Sequence, residues 1–362
     1  NLHLFAGALE EWPSEGERLG KAPDKNDPNV LVLRGSLESP CFLDDAVSRK
    51  LEAMPEGRIL YVEPGMYYVG EVMWHLPSHT GIYLEGGAVI RGGLVCDHRE
   101  DIRIWGRGMI YQGHLERFSR NITAEGLMFV NPPHYTVYAG DSQDIILRGI
   151  KSFSCEGWSD GLDMMSCQRV LVEDCFLRTS DDCIAIYGSR WDNRGDSRDI
   201  TVRRTAVWAD VAHPLMIGTH GDHENEGDVI EHILYEDVDI LEHHEFQSGY
   251  LGAMAINAGD KNTVRHVTYR NIRVEAFEHG KLLDVQVKYN PDYNPAPGRR
   301  IEDIVFENIH GQSGTGEEPS VIAGYSQEYG VDGVIIAGLY RDGKKVQSLE
   351  EANIRVGKYA RQ

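Results

Sequence analysis

The chain has 362 residues, of which 41% are hydrophobic, enough apolar material for one large domain or two ordinary ones. Its formal net charge of −21 disfavours nucleic acids and anionic membranes as partners, because both would be repelled at long range. No run of apolar residues is long enough for a transmembrane helix, so we predict no membrane span. The six cysteines lack CxxC spacing and are too sparse for a disulfide scaffold, so small buried side chains are expected. The oligomeric state is left open.

The first part of the chain divides into a loop-rich segment and a helix. Residues 1–40 contain several prolines among many charges and read as a leader or as the end of a preceding module. Residues 43–54 have acids at their start, apolar residues at helical spacing and Pro55 directly after them, which predicts a short N-terminal cap helix. We assign residues 41–362 to one domain.

From residue 58 onward the chain repeats a pattern of short strands. An aliphatic alternation, an Asn, Asp or Gly turn and a second aliphatic pair recur at intervals of roughly 23 to 37 residues. Strands alone at such a period, with Asn or Asp at the corners, predict an all-β fold, a parallel β-helix. A propeller or sandwich is disfavoured, since no blade signature is visible. The clearest repeats are residues 58–65, 81–90, 144–150, 169–177, 199–202, 232–240, 266–274 and 303–309.

Four carboxylates lie in two tight clusters in the middle of the repeats, at residues 158–163 and 179–188. The apolar strand pattern between them is about one coil long, so the clusters could recur on neighbouring strands. Stacked strands lie roughly 4.8 Å apart, so Asp160, Asp181 and Asp182 should come close together. Glycoside hydrolysis requires such paired acids.

Four ordered segments resemble motifs of glycoside hydrolase family 28, the polygalacturonase family. Residues 158–163, Trp-Ser-Asp-Gly-Leu-Asp, resemble Asn-Thr-Asp-Gly-x-Asp, and residues 180–183, Ser-Asp-Asp-Cys, resemble Gln/Gly-Asp-Asp-Cys. Residues 212–218, Ala-His-Pro-Leu-Met-Ile-Gly, resemble Gly-His-Gly-x-x-Ile-Gly, and residues 285–288, Val-Gln-Val-Lys, resemble Arg-Ile-Lys. Trp158 replaces the family's Asn, both glycines around the histidine are replaced, and Gln286 replaces the Arg.

The resemblance implies an inverting glycoside hydrolase. Its fold would be a single-stranded right-handed parallel β-helix of the pectin-lyase-like solenoid type, with residues 41–362 as the catalytic domain. It makes Asp181 the general acid and gives Asp160 and Asp182 the task of holding the attacking water. Clustered carboxylates suit these roles, because neighbouring like charges push one pKa upward. Consecutive residues of a regular strand point to opposite faces, so we expect Asp181 and Asp182 to lie at a strand end or bulge.

Substrate-binding roles also follow from the resemblance. His213 would support the acid or bind sugar, and Lys288 would hydrogen-bond to sugar oxygens. The family's Arg and Lys hold the carboxylate of a uronate, so Gln286 leaves the choice between an acidic and a neutral sugar open. Asp163 either binds substrate or satisfies buried backbone groups.

Aromatic and basic side chains flank the acid clusters. Trp158, Tyr187 and Trp191 could stack on sugar rings or serve in packing. Arg190 and Arg194 lie in an insertion after the second cluster and could offset the missing Arg. Residues 220–224 and 242–245 carry metal-type ligands without zinc spacing of known type, so we predict no metal and no cofactor.

The sequence therefore predicts an inverting hydrolase acting on a polysaccharide or oligosaccharide, of pectin type or related. A dextranase-like family of the same fold is a close neighbour of this interpretation. A polysaccharide lyase and a non-catalytic glycan-binding β-helix are the two alternatives from other classes. The family resemblance also implies a secreted or periplasmic protein.

Overall fold

Short parallel strands dominate the computed structural model, which describes residues 5, 20–36, 41–69, 73–117, 119–247, 249–250 and 252–361. Strands of one coil pair in register with their counterparts in the next, so that they stack into three parallel ladders. The predicted parallel β-helix is thereby confirmed.

The first ladder forms one long side of the solenoid. Its strands are Val30–Leu33, Arg58–Val62, Thr80–Leu84, Glu100–Gly106, Arg120–Glu125, Gln143–Arg148, Gln168–Glu173, Ser197–Ala209, Val229–Glu242, Thr263–Val274, Arg300–Gly311, Val331–Arg341 and Ala360–Arg361. The second ladder merges into the first at Ser197–Ala209 and consists of Cys41–Phe42, Gly65–Tyr68, Ala88–Arg91, Met109–Tyr111, Met128–Val130, Lys151–Phe153 and Phe176–Thr179.

The third ladder carries the acid clusters. Its strands are Trp74–His75, Leu94–Val95, Leu115–Glu116, Val137–Gly140, Leu162–Met165, Ile184–Tyr187, Leu215–Gly218, Met254–Ala258, Leu283–Val287, Ser320–Ala323 and Ile354–Val356. Two small pairings complete the strands, a parallel one between His279–Gly280 and Gly316–Glu317 and an antiparallel one of Lys344–Lys345 with the end of Val331–Arg341.

Left-handed residues mark the bend between the first two ladders in successive coils. Asp174, Arg204, Asp237, Asn271 and Asn308 have φ between 49° and 57°, a conformation that Asn and Asp tolerate best. The Asn271 amide donates to Asp237 at 3.0 Å, and the Asn308 amide donates to Asn271 at 2.8 Å. The repeat pattern predicted Asn and Asp at these corners, and the hydrogen bonds of Asn271 and Asn308 join three successive corners to one another.

The predicted cap helix is also confirmed. It spans Asp45–Glu52 and is the sole α-helix in the described part of the chain. The Asp44 side chain accepts hydrogen bonds from the amides of Ala46 and Val47, which satisfies donors that the first helical turn leaves unpaired. Val47 and Leu51 are buried, so the helix covers the first coils of the apolar interior.

The division at residue 41 remains a prediction. Most of residues 1–40 lies outside the described residues, but Val30–Leu33 pairs in parallel with Arg58–Val62. The stacked ladders therefore begin inside the segment that the sequence assigned to the leader.

Inward-facing aliphatic side chains of all three ladders form one continuous core. All six cysteines are free thiols, and Cys96, Cys167, Cys175 and Cys183 are buried in this core. In the ranges that the structure describes, no helix has the length and apolar character needed to cross a membrane.

Candidate active site

The third ladder brings three polar residues to the same position on successive coils. Leu162, Ile184 and Leu215 are in register on neighbouring strands. Asp160, Asp182 and His213 each precede one of these residues by two positions. Gly161 N donates to Asp182 O and Cys183 N donates to His213 O, which continues the ladder up to these side chains. The spacing of the motifs along the sequence therefore places Asp160, Asp182 and His213 next to one another on successive coils.

Asp181 and Asp182 lie in the turn between Phe176–Thr179 and Ile184–Tyr187, which confirms their expected place at a strand end. The Thr179 hydroxyl donates to Asp181 O at 2.6 Å, and the Ser180 amide donates to Ser154 Oγ at 3.1 Å. The Asp182 amide donates to Asp181 Oδ1 at 3.0 Å. These bonds hold the two consecutive carboxyl groups in one orientation.

A buried ion pair holds Asp182. His213 donates to Asp182 Oδ1 from its backbone amide at 2.9 Å and from Nδ1 at 2.7 Å, and its Nε2 lies 3.1 Å from Tyr250 O. Both ring nitrogens of His213 face oxygen acceptors, an arrangement that an imidazolium satisfies with its two N–H donors. Burial lowers the pKa of His213, but the charge and hydrogen bond of Asp182 outweigh it and raise the pKa overall. Tyr187 OH donates to Asp182 Oδ2 at 3.3 Å.

The other carboxyl groups are poised to hold protons. Burial, followed by the charge of Asp182, raises the pKa of Asp181 to about 7. Burial also raises the pKa of Asp160, and the charges of Asp163, Asp181 and Asp182 add to that effect. The pKa of Asp163 is likewise raised by burial. Neither Asp163 oxygen has a hydrogen-bond partner, so this side chain is not satisfying buried backbone groups in the structure.

A cleft of about 250 Å³ opens over the acid cluster. Of the predicted residues, Asp160, Asp181, Asp182, Trp158, Tyr187 and Arg190 line it. His213 lies directly beneath Asp182, and Asp163 is buried near Arg190. The sequence did not single out the remaining lining residues, Tyr135, Val211, Ala212, His220, Glu245, Gln247, Tyr250 and Tyr293, for this cleft.

The structure does not place Gln286 and Lys288 in the cleft lining. Gln286 Nε2 donates to Asp284 Oδ1 at 2.6 Å, and Lys288 Nζ donates to Asp284 Oδ2 at 2.9 Å and to Gly249 O. Lys281 makes a further ion pair with Asp284 at 3.1 Å. Residues 284, 286 and 288 share one strand face, so period-two alternation could have predicted this network from the sequence.

Three described groups of side chains have the composition of a cation site. Oxygens of Asp160, Asp181 and Asp182 lie within 4.8 Å of one another, and the other two groups are His79–Glu100–Asp101 and Glu231–His232–His266 on the outer surface. The raised pKa values of Asp160 and Asp181 favour protons over a cation in the cleft. His232 and His266 stack at an interplanar angle of 15°, so their in-plane lone pairs do not converge.

Trp158 combines exposure with backbone strain at the edge of the cleft. It is 73% exposed and has a φ of 56°, a conformation that is unfavourable for a bulky side chain. Such strain concentrates at ligand-binding positions. The exposed indole offers an apolar face on which a sugar ring can stack.

Trp158→Gly is expected to stabilise the fold while weakening substrate binding. Glycine removes the left-handed strain, so the free energy of unfolding should rise by about 1 kcal/mol, and KM should rise several-fold because the stacking surface is lost. Tyr359→Gly is the matched control, since Tyr359 has a φ of 58° and is not among the cleft residues. Chemical denaturation and steady-state kinetics measure both effects. An unchanged KM in Trp158→Gly would contradict the stacking role.

Comparison with known proteins assigns the chain to a family. The family model described as glycosyl hydrolases family 28 matches residues 115–356, well over half of the chain. The chain belongs to glycoside hydrolase family 28. The matched span includes the acid cluster, His213 and the segment around Lys288.

Relatives within family 28 are distant. A polygalacturonase of Juniperus ashei is 25% identical over 55% of this chain and 37% of that protein. A probable exopolygalacturonase B of Aspergillus terreus is 26% identical over 56% of this chain and 46% of that protein. The chain thus spans less than half the length of these curated relatives. The family 28 exopolygalacturonase of Yersinia enterocolitica aligns with a TM-score of 0.70 at 13% identity, over 94% of this chain and 78% of that one, which shows the shared fold.

Proposed function

We propose that the protein is an inverting glycoside hydrolase that cleaves glycosidic bonds in a pectin-type polysaccharide. The observation that carries this proposal is the acid cluster, in which Asp160, Asp181 and Asp182 offer oxygens within 4.8 Å of one another in an open cleft. Membership of family 28 and the polygalacturonase names of two relatives support the activity and substrate class.

Asp181 is the general acid in this proposal. An acid must be protonated near the working pH, and the raised pKa of Asp181, about 7, meets that need. Asp181 is also half-buried rather than buried, so its carboxyl group can reach a glycosidic oxygen in the cleft.

Asp160 and Asp182 hold the attacking water. Asp182 is fixed by His213 and Tyr187, and the imidazolium of His213 balances a negative charge on it. Asp160 lines the cleft, and its buried Oδ1 has no hydrogen-bond partner in the structure, so this carboxyl group keeps unused acceptor capacity beside the water. Together they supply two acceptors for the two protons of the nucleophile.

The distance between the carboxyl groups bears on whether the reaction inverts or retains the configuration of the anomeric carbon. Inverting enzymes typically separate their two carboxyl groups by roughly 6.5–9.5 Å and retaining enzymes by roughly 5 Å. The oxygens of this cluster are closer than the inverting range. Those ranges apply to pairs of carboxyl groups, whereas this cluster has three members. We base inversion on membership of family 28.

A hydrolase of pectin-type polymers meets its substrate outside the cytoplasm, because an intact polysaccharide does not cross the cytoplasmic membrane. We therefore also propose that the protein is secreted or periplasmic and that carbohydrate is its partner. The lyase and binding-module alternatives gain no support, since family 28 membership and the three-carboxylate cluster both favour hydrolysis.

Reducing-sugar release tests the activity. Polygalacturonate, rhamnogalacturonan and dextran are incubated with the wild-type protein, and the products are resolved by chromatography. We expect release from a pectin-type substrate. Glycan binding without release would favour the binding module, and an unsaturated product absorbing in the near ultraviolet would favour the lyase.

The pH dependence of kcat/KM is expected to show an alkaline limb near pH 7. Asp181 has a raised pKa of about 7, so it is protonated below that pH and loses its catalytic proton above it. Because the acids are coupled, the apparent value belongs to the cluster. Initial rates measured from about pH 4 to about pH 9 give the profile. A rate that still rises above neutral pH would contradict the assignment of Asp181 as the acid.

A further inference from the structure

Arg190 lies in a box of three aromatic rings. Its guanidinium carbon is 5.3 Å from the ring centroid of Tyr135, 5.0 Å from that of Tyr187 and 4.9 Å from that of Trp191. The backbones of Arg190 and Asn193 are joined by two hydrogen bonds, which lock the turn. Stacking orients a guanidinium through its face and leaves the N–H groups at its edge free to donate.

The Arg190 guanidinium has no partner for these donors. In the part of the chain that the structure describes, no carboxylate or carbonyl accepts a hydrogen bond from it or forms an ion pair with it. Other arginines form ion pairs; Arg148, for example, pairs with Glu125 and Glu173. Arg194, the next arginine along the chain, donates to the carbonyls of Trp191 and Asn193. Arg190 is half-buried, and the carboxyl groups of Asp160 and Asp163 act on it through their charge, so its N–H groups remain available to a ligand in the cleft.

The position of Arg190 indicates what that ligand touches. Arg190 lines the cleft over the acid cluster and also a neighbouring cavity of about 300 Å³. His220 and Tyr293 line both spaces as well. Burial, with the charge of Arg190, lowers the pKa of His220 to about 3, so His220 is neutral and Arg190 supplies the positive charge at this junction. A sugar bound in the neighbouring cavity would place its substituents beside Arg190.

The residues that correspond to the family's carboxylate-binding Arg and Lys are not available for this task. Gln286 and Lys288 both hydrogen-bond to Asp284, which is fully buried, and neither lines the cleft or the neighbouring cavity. Recognition of an acidic sugar in this chain therefore needs another cation. The overall charge of −21 makes a local cation more necessary, because it repels an anionic polymer at long range.

We infer that Arg190 binds the carboxylate of an acidic sugar at the junction of the two cavities and makes the enzyme specific for uronate over neutral sugar. The planar fork of the guanidinium matches a carboxylate in a bidentate arrangement. This inference rests on the proposed hydrolase function and moves the specificity determinant from the 285–288 segment to the insertion after Ile184–Tyr187.

Arg190→Gln tests the inference on two substrates, polygalacturonate and its highly methyl-esterified counterpart, in which the carboxylate charge is absent. We expect kcat/KM to fall by about 10- to 100-fold on polygalacturonate, the loss of a charge-assisted hydrogen bond, and by less than about threefold on the ester. Arg190→Lys keeps the charge without the fork and should recover part of the loss. Arg169→Gln is the charge-matched control, because Arg169 pairs with Asp144 on the outer surface.

Two outcomes separate this inference from the function on which it rests. Equal losses on both substrates would overturn the role of Arg190 and leave the hydrolase proposal intact. If no substrate is hydrolysed, calorimetry of trigalacturonate binding decides the matter in the Asp181→Asn background, with and without Arg190→Gln. Binding that weakens at least tenfold upon Arg190→Gln supports the inference on its own, and unchanged binding overturns it.

Discussion

Asp181→Asn is expected to lower kcat by about 10²–10⁴-fold while the fold and substrate binding persist. The amide has nearly the same shape as the carboxyl group but cannot deliver a proton to the leaving oxygen. Asp181 also carries the raised pKa, about 7, on which the alkaline limb of the rate profile depends. The residual activity of the variant should therefore lack that limb.

The role of Asp181 as the acid can also be tested by comparing substrates whose leaving groups differ in their need for a proton. An aryl glycoside whose leaving group departs without protonation should lose much less activity in Asp181→Asn than the polysaccharide does. Asp303→Asn serves as the control, because Asp303 lies beside His266 on the outer surface and contacts none of the cluster. A kcat for Asp181→Asn within about threefold of the wild type would remove Asp181 from the acid role.

His213→Gln is expected to damage both stability and turnover. The substitution removes the imidazolium that neutralises Asp182 and leaves a buried carboxylate without its cation, a defect that costs about 3–5 kcal/mol. We expect kcat to fall by about 10- to 100-fold, since hydrogen bonds to charged groups contribute about 1.5–3 kcal/mol. The alkaline limb of the pH–rate profile should move to higher pH, because the charge of His213 lowers the pKa of Asp181 and this effect is lost in the variant.

A second buried histidine provides the control for His213. His243 lies beside it, with ring centroids 6.2 Å apart, and its Nδ1 is 3.0 Å from Ala212 O while its Nε2 accepts from the amide of Gly252. His243 is thus neutral and does not contact Asp182. His243→Gln should lower the free energy of unfolding without moving the pH profile. The same shift of the profile in both variants would show that His213 acts through packing alone.

The solenoid could be predicted from the sequence because its determinants are local and repeated. Each coil carries the same aliphatic alternation and a corner residue that accepts a left-handed backbone, as at Asp237, Asn271 and Asn308. The acidic residues at the start of residues 43–54 likewise predicted the helix cap, which the structure places at Asp44. The strand Val30–Leu33 was missed because its neighbours carry prolines and charges in place of a repeat.

The acid cluster could also be predicted, since Asp160 and Asp182 occupy the same position on adjacent coils and Asp181 immediately precedes one of them. The residues that form the walls of the cleft could not be predicted from the sequence. Glu245, Tyr250 and Tyr293 belong to loops that have no periodicity, and the fold of the surrounding coils determines where they point. The hydrogen bonds of Gln286 and Lys288 to Asp284 could have been predicted from strand alternation. The surroundings of Arg190 could not, because they depend on loops without periodicity.

The anomeric configuration of the first product tests the central claim most directly. Proton NMR during the first minutes of polygalacturonate hydrolysis, before mutarotation, reports whether the new reducing end is inverted relative to the scissile bond. Inversion is the predicted result, because Asp160 and Asp182 direct a water to the face opposite Asp181. Retention would instead require one of these carboxylates to attack the sugar and form a covalent intermediate, and would contradict the roles assigned to the cluster.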